Sequence, residues 1–192
     1  TLTRVGFGTA NACEEQSNGS MYLTSSDLEM TMDGRLQIVG IRFADIAVPK
    51  GSEIVRAHIQ FTCKEPDSEP TNLLIRGEST GDAMPFDETR RNISSRPLTA
   101  AAASWEPRAW YGAGDGSEAQ RSPDVSTIVS EIISRDDWRP GQAMAFVVTG
   151  TGKRTAYSGG NPATAPRIHI EFRAPQNTDA PAVGLLLMTD WR

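Results

Sequence analysis

The chain has 192 residues, 38% hydrophobic and 22% charged, a balance that is ordinary for one folded globular domain. Its net charge of -5 argues against general nucleic-acid binding, which needs a basic surface for phosphates. No apolar run approaches the length that crosses a bilayer, so we expect no membrane insertion. Residues 1–9 lack the basic start and apolar stretch of a signal peptide. We therefore expect that any export signal has been removed, or that this domain was cut from a longer chain.

The dominant pattern along the chain is the alternation of apolar and polar side chains. Residues 55–61 read Val-Arg-Ala-His-Ile-Gln-Phe, the period of two that is typical of a strand with one buried face. Residues 39–43, 73–77 and 168–172 repeat this pattern, whereas the continuous apolar run at 143–148 predicts a strand covered on both faces. Strands that recur between Pro- and Gly-containing turns predict an all-β fold, a two-sheet β-sandwich.

One segment has helical rather than strand periodicity. Its apolar residues form a single stripe with spacings of three and four: Val125, Ile128, Val129, Ile132 and Ile133. Ser122 is placed to cap the first amides, and Pro123 lies where a helix tolerates proline best. We predict one short amphipathic helix that buries this stripe against the sandwich and leaves Ser130, Glu131 and Arg135 exposed.

The polar segments divide the chain into a domain and its loops. Residues 81–97 and 107–123 are long, polar and rich in Gly and Pro, and long loops in compact domains are often functional. We predict a β-sandwich domain at residues 1–172. Residues 173–192 then form a linker and, at 183–188, a final strand that packs on the same domain.

Several short motifs occur in an order that is similar to that of a known family. They are Cys-Glu-Glu at 13–15, Ser-Ser-Asp-Leu-Glu at 25–29, Val-Gly-Ile-Arg-Phe at 39–43, Val-Pro-Lys-Gly at 48–51, Ala-His-Ile-Gln-Phe at 57–61, Ile-Arg-Gly-Glu at 75–78, Ile-Ser-Ser-Arg at 93–96, Trp105, Gln-Arg-Ser-Pro-Asp at 120–124 and Gly-Thr-Gly-Lys-Arg at 150–154. Over about residues 12–172 the chain resembles a β-jelly-roll domain of large secreted bacterial proteins. Its general layout is also similar to the DNRLRE-type carbohydrate-binding modules.

This resemblance implies a jelly-roll-like module appended to exported proteins, many of which act on or adhere to polysaccharides. In such modules a calcium ion often joins the N-terminal segment to the sandwich. The related domains usually read Asp-Ala-Glu-Glu near the start, whereas this chain has Ala12-Cys13-Glu14-Glu15. The difference removes one oxygen ligand from any calcium site.

Four acidic residues are the candidate calcium ligands: Glu14, Glu15, Asp27 and Glu29. Calcium takes six to eight oxygen ligands from carboxylates and loop carbonyls. Asp27 and Glu29 are two residues apart, so on a strand their side chains share a face. The alternative is that all four are solvated surface acids, as most such residues are.

Two cysteines, Cys13 and Cys63, allow one disulfide or two buried thiols. Because the resemblance points to an exported protein, we predict the disulfide. The two histidines, His58 and His169, occupy matching places in two strands. Such a pair can hold a metal or share a proton, although the polar face of a strand is also typical of half-exposed histidines without that role.

Aromatic and charged side chains suggest where a glycan binds. The predicted ligand-binding set is Trp110, Tyr111, Arg76, Glu78, Arg154 and Tyr157. Trp110 and Tyr111 precede a Gly-rich turn, and exposed rings of this kind can stack on sugars. Arg76 and Glu78 share one strand face and can orient a polar ligand, but such pairs are more often plain salt bridges. Trp105 and Trp138 are expected in the core.

The sequence contains no Gly-x-Ser-x-Gly elbow and no nucleotide-binding glycine pattern. We therefore predict a non-catalytic carbohydrate-binding module of a larger exported protein, with a polysaccharide or cell-surface glycan as partner. The alternative is a spacer domain of a surface adhesin with no small ligand. A glycan-active enzyme is the third hypothesis, with Glu78, Asp82 and Asp87 as the carboxyl groups that such an enzyme needs.

Overall fold

The computed structural model describes residues 1–175, which form strands and one helix. The strands are β1 (Leu2–Val5), β2 (Ala12–Gln16), β3 (Met21–Tyr22), β4 (Asp27–Glu29), β5 (Met32–Asp33), β6 (Arg35–Phe43), β7 (Glu53–Gln60), β8 (Cys63–Glu65), β9 (Asn72–Glu78), β10 (Leu98–Trp105), β11 (Met144–Thr151), β12 (Thr155–Tyr157) and β13 (Arg167–Arg173). The helix α1 spans Ser126–Ser134, and a 3-10 turn spans Glu118–Gln120. The predicted final strand at residues 183–188 lies outside the described residues.

The strands form an antiparallel sandwich, which confirms the predicted fold class. One sheet has seven strands in the order β10-β9-β11-β6-β2-β3, with β5 paired to β6. The opposite strands form two three-stranded sheets, β1-β13-β7 and β4-β12-β8. Strands β7 and β8 are separated only by Phe61 and Thr62, so the chain passes directly from one small sheet to the other.

The main core lies between these sheets and is built by the alternation seen in the sequence. Ile41 and Phe43 of β6 are fully buried there, as are Ile59 and Ile168 of the opposite sheet. Strand β11 is covered on both faces, as its continuous apolar run predicts. Phe146 and its alternate neighbours enter the main core, while the residues between them join a second cluster on the outer face of the seven-stranded sheet.

That second cluster lies under the predicted loop at residues 81–97. Phe86 and Ile93 of the loop pack onto Gly40, where an added Cβ would come within 2.7 Å of the Phe86 ring. The Glu15 carboxylate accepts hydrogen bonds from the backbone N–H groups of Ile93 and Ser94 at 2.9 and 2.7 Å. The loop is therefore an anchored cover on the sheet and not a free binding loop.

Helix α1 buries the predicted stripe in the main core, where it packs on β9 and β10 of the seven-stranded sheet and on β7 of the opposite sheet. The side chains of Ile128 and Ile132 would meet a Cβ on Gly77 at 2.7 and 2.8 Å, so the glycine permits this close approach. The helix begins at Ser126, later than predicted, because the Ser122 hydroxyl accepts a hydrogen bond from Ile59 N instead of capping the helix.

The predicted solvent-facing residues of the helix, Ser130, Glu131 and Arg135, are half-buried and not exposed. The helix lies beside the edge strand β10, where the Glu131 carboxylate accepts hydrogen bonds from the N–H groups of Ala100 and Ala101 at 2.9 and 2.7 Å. These bonds pair backbone groups that an edge strand otherwise leaves free.

The predicted disulfide between Cys13 and Cys63 is not formed, and both are free, buried thiols. Successive side chains on a strand point to opposite faces. Ala12 faces the main core, so Cys13 faces the outer cluster under the 81–97 loop. Cys63 packs in the main core. The two thiols thus lie in different apolar clusters, on opposite faces of the seven-stranded sheet.

Candidate functional site

Tyr111 is the most exposed of the large hydrophobic side chains in residues 1–175, at 80% exposure. It follows directly on Trp110, which is fully buried. The backbone of Trp110 exchanges two hydrogen bonds with Asp67, at 2.8 and 2.9 Å, and its indole N–H donates to the Ala119 carbonyl at 2.9 Å. Trp110 is therefore a core residue, and the predicted platform of two exposed rings is wrong. One ring, Tyr111, remains at the surface.

Arg154 is also buried, at 2% exposure, and holds the same loop from below. Its guanidinium donates to the carbonyls of Pro107 and Arg108, each at 3.0 Å, and of Glu69 at 2.9 Å. Burial lowers the pKa of Arg154, although the Asp67 carboxylate at 3.5 Å acts in the opposite direction. The structure thus places Arg154 beneath the loop, with its guanidinium bonded to the protein, and not on the exposed surface that the sequence predicted for it.

After Tyr111 the loop turns back over strand β8. Gly114 N donates to the Cys63 carbonyl at 2.7 Å, and Cys63 N donates to the Asp115 carbonyl at 2.8 Å. The Asp115 carboxylate lies over Gly112, where an added Cβ would be 2.7 Å from its Oδ2. The result is an exposed ring next to an exposed carboxylate, on a backbone held at both ends.

Tyr157, another predicted ligand residue, lies half-buried on β12 and pairs with Asp27 of β4. The Asp27 carboxylate forms a 2.5 Å ion pair with Lys64 of β8. Burial alone would raise the pKa of Asp27, but hydrogen bonds from Lys64 and Ser25 lower it. Asp27 therefore already has a cationic partner.

The acidic residues predicted to bind calcium do not converge as a set of four. Glu14 and Glu15 are adjacent on β2 and face opposite sides, so Glu15 anchors the 81–97 loop while Glu14 faces Glu29. Within residues 1–175 no group of three metal-ligating Asp, Glu, His or Cys side chains is assembled. The prediction that Glu15 belongs to this site is wrong.

Glu14 and Glu29 do meet. The buried Glu14 Oε1 accepts hydrogen bonds from Glu29 N and from the Gln37 amide, both at 2.8 Å. Burial, together with the hydrogen bond to the Glu29 carboxyl, raises the pKa of Glu14 to about 9. Thr155 lies opposite Glu29 in the β4–β12 register, and its buried hydroxyl has no hydrogen-bond partner among the described residues.

The predicted Arg76–Glu78 pair is replaced by another. Glu78 is nearly buried and forms a 2.7 Å ion pair with Arg96, whose guanidinium also covers the Phe86 ring at 4.3 Å. Glu78 thus anchors the 81–97 loop and is not available to a ligand. Arg76 is half-buried on the same sheet face and forms no hydrogen bond or ion pair within the described part of the chain.

The two further acids of the enzyme hypothesis are engaged with backbone. Asp82 accepts a hydrogen bond from Ala143 N at 2.9 Å, and Asp87 accepts one from Thr89 N at 2.7 Å. Sequence reasoning missed three residues that bind the carboxylates predicted to be available to a metal or ligand. Gln37 binds Glu14, Lys64 binds Asp27 and Arg96 binds Glu78. Each lies far along the chain from its partner, so no local pattern marks it.

Within residues 1–175 no helix has the length and apolar character that a membrane span requires. The sequence matches no family model and no curated protein.

Proposed function

We propose that this domain is a non-catalytic polysaccharide-binding module of a larger exported protein, with Tyr111 as the ring on which a sugar stacks. The observation that supports this is the 80% exposure of Tyr111 on a loop held by Trp110 and Arg154. An exposed tyrosine offers an apolar ring and a polar hydroxyl in one side chain. Because the loop is already ordered, little entropy is lost there when a ligand binds.

The neighbouring Asp115 carboxylate supplies an acceptor for sugar hydroxyls beside the ring. Of the other predicted ligand residues, Arg76 and Tyr157 remain partly accessible, whereas Trp110, Glu78 and Arg154 are buried. Arg76 lies on the outer face of the seven-stranded sheet, away from the loop that carries Tyr111, so the proposed binding surface is centred on Tyr111 and Asp115. The proposed ligand is accordingly a neutral, polyhydroxylated sugar, with the exposed Asp115 carboxylate close to Gly112, the residue that follows Tyr111.

The test is the replacement Tyr111→Ala, assayed on a glycan array and by pull-down with insoluble polysaccharides. We expect about a five- to thirtyfold loss of affinity, since an aromatic contact of this kind contributes about 1–2 kcal/mol. The melting temperature should not change, because the ring packs on little protein. Tyr22→Ala is the matched control, since Tyr22 is 47% exposed but lies on β3. Equal affinity of Tyr111→Ala and native protein would contradict the proposal.

The second candidate is a spacer domain of a surface adhesin. It is favoured by the finding that Trp110, Arg154 and Glu78, all predicted to bind ligand, instead hold loops in place. It predicts that no glycan on the array binds the native protein. A glycan-active enzyme would instead release soluble sugar from the bound polysaccharide, which the same pull-down can measure.

We also propose a structural calcium site, now limited to Glu14 and Glu29. The two carboxyl groups are in contact, and the unpartnered Thr155 hydroxyl lies on the strand that pairs with Glu29. Hard oxygen donors of this kind suit calcium. A bound ion would join β2 to β4, the N-terminal segment to the smaller sheet.

Thermal melting with calcium and with chelator tests this site. A cation that binds only the folded state at roughly a hundred times its Kd adds about 2.7 kcal/mol, so we expect a higher melting temperature with calcium. Glu29→Gln should abolish the difference between the melting temperatures with calcium and with chelator. Glu15→Gln should lower both melting temperatures, because Glu15 anchors the 81–97 loop, but should leave the difference between them unchanged. A native melting temperature that is the same with calcium and with chelator would exclude the site.

A further inference from the structure

The outer face of the β1-β13-β7 sheet carries the two histidines of the chain side by side. His58 of β7 and His169 of β13 are partners in the strand register. Their ring centroids are 4.9 Å apart and their planes are inclined by 21°. Both rings are half-buried, so they rest on the sheet and keep an edge toward solvent.

Strand β1 supports this pair from the other side. Thr3 lies opposite His169 in the register, and its hydroxyl is 3.0 Å from His169 Nδ1. That hydrogen bond orients the ring and leaves Nε2 of His169 available. Within the described residues, neither ring nitrogen of His58 has a hydrogen-bond partner. Two imidazoles with free nitrogens therefore face each other across one strand pair.

The charged side chains around the two histidine rings partly neutralise one another. Arg56 lies beside His58 on β7, and its guanidinium forms a 2.7 Å ion pair with Glu171. The Asp124 carboxylate accepts a hydrogen bond from the N–H of Ala57, next to His58 in the chain, at 3.0 Å. Arg121 and Arg167 are two further cations: Arg121 contacts Gln60 at 3.5 Å, and Arg167 donates to the carbonyls of Pro162 and Ala163 at 2.7 and 3.0 Å. A divalent ion at the rings would thus meet one neutralised cation, two cations without an acidic partner among the described residues, and the Asp124 anion.

We propose that His58 and His169 form a surface site for a divalent d-block cation, Cu²⁺, Ni²⁺ or Zn²⁺, with water completing the coordination. Imidazole nitrogen suits these metals, and copper binds most tightly in this series. Metal–nitrogen bonds of about 2.0–2.1 Å at a tetrahedral angle place the two nitrogens about 3.4 Å apart. Because the rings are stacked, their nitrogen lone pairs lie in nearly parallel planes, so both half-exposed side chains must rotate to point one nitrogen each toward a shared ion.

The site is independent of the proposed calcium and glycan sites. Calcium prefers oxygen donors, so a site of two imidazoles discriminates against it. The metal would link β13 to β7 and would raise the stability of the fold by RT ln(1 + [M]/Kd), where [M] is the free metal concentration. The chain has no other histidine, so the loss of both imidazoles removes every imidazole ligand.

The experiment measures Cu²⁺ binding calorimetrically and by electron paramagnetic resonance, on native protein, His58→Gln, His169→Gln and the double variant. We expect each single variant to bind at least about tenfold more weakly, because loss of a direct ligand should cost no less than loss of an outer partner. The spectrum of the native protein should show coupling to two imidazole nitrogens. Melting temperatures in Ni²⁺ and in Zn²⁺ should rise for the native protein alone.

Glu29→Gln is the matched control, and it should keep the copper affinity of the native protein while it loses any response to calcium. Circular dichroism confirms that each variant is folded. Equal copper affinity of the native protein and of either histidine variant would overturn the proposal, as would a native spectrum with only one coupled nitrogen.

Discussion

Replacement of Arg154 by methionine is expected to lower the free energy of unfolding by about 3–5 kcal/mol. The side chain is 2% exposed, and its guanidinium donates to carbonyls at the start of the loop that carries Tyr111 and to the Glu69 carbonyl of the connection between β8 and β9. Methionine fills similar volume but donates no hydrogen bond, so the carbonyls of Pro107, Arg108 and Glu69 would be left without this donor. The Asp67 carboxylate would also lose its cation.

Urea denaturation measures this loss, and two variants act as controls. Arg154→Lys keeps the charge but has a single nitrogen, so it should recover only part of the stability. Lys153→Met changes the adjacent residue, whose side chain is 31% exposed and forms only a 3.7 Å ion pair with Glu65, and it should change the free energy by less than about 1 kcal/mol. If Arg154→Met is as stable as Lys153→Met, the guanidinium does not hold the loop.

Replacement of Ile132 by aspartate is expected to cost at least about 4 kcal/mol and to unfold most of the protein if its stability is marginal. Ile132 is fully buried, and its Cδ1 lies 2.8 Å from where Gly77 would carry a Cβ. Aspartate would both leave a cavity and bring a charge into the main core. No described cation faces this position, so the carboxylate would have no partner.

Thr127→Asp is the matched control on the same helix. Thr127 is exposed in the first turn, where a negative charge interacts favourably with the helix dipole. The melting temperature of the Thr127→Asp variant should equal or slightly exceed that of the native protein. If Ile132→Asp melts at the same temperature as Thr127→Asp, the helix is not part of the core.

These two expectations also bear on the proposed glycan site. Trp110 and Arg154 hold the backbone before Tyr111, and the hydrogen bonds of Gly114 and Asp115 with Cys63 hold it afterwards. Arg154→Lys should therefore weaken glycan binding while the domain stays folded, since the loop would lose part of its preorganisation. Loop anchoring, more than the sheet itself, positions the candidate binding residue.

Local periodicity was sufficient for the fold. The alternation from Ala57 to Phe61 and the stripe around Ile132 appear as a buried strand face and a helix because burial of one face is set by side chains a few residues apart, whereas Val55, beside the bulge in the β7–β13 register, is exposed. The continuous apolar run before Val148 likewise indicated a strand with two covered faces. In each case the pattern and the structure depend on the same neighbouring residues.

The candidate site depended on partners far along the chain. Trp110 and Tyr111 are adjacent and chemically alike, yet the bridge between Trp110 and Asp67 buries one ring and leaves the other at the surface. Glu14 and Glu15 are likewise separated by the two faces of β2.

The sequence by itself indicated β6, β7, β9, β11 and β13, the helical stripe and the all-β class of this protein, whereas β10 and the short strands were not predicted. Only the tertiary structure decided which charged groups are already paired, such as Glu78 with Arg96 and Asp27 with Lys64. The physical reason is that alternation specifies which face a side chain takes, whereas a side chain's partner depends on strand register and on loops that cross the sheet.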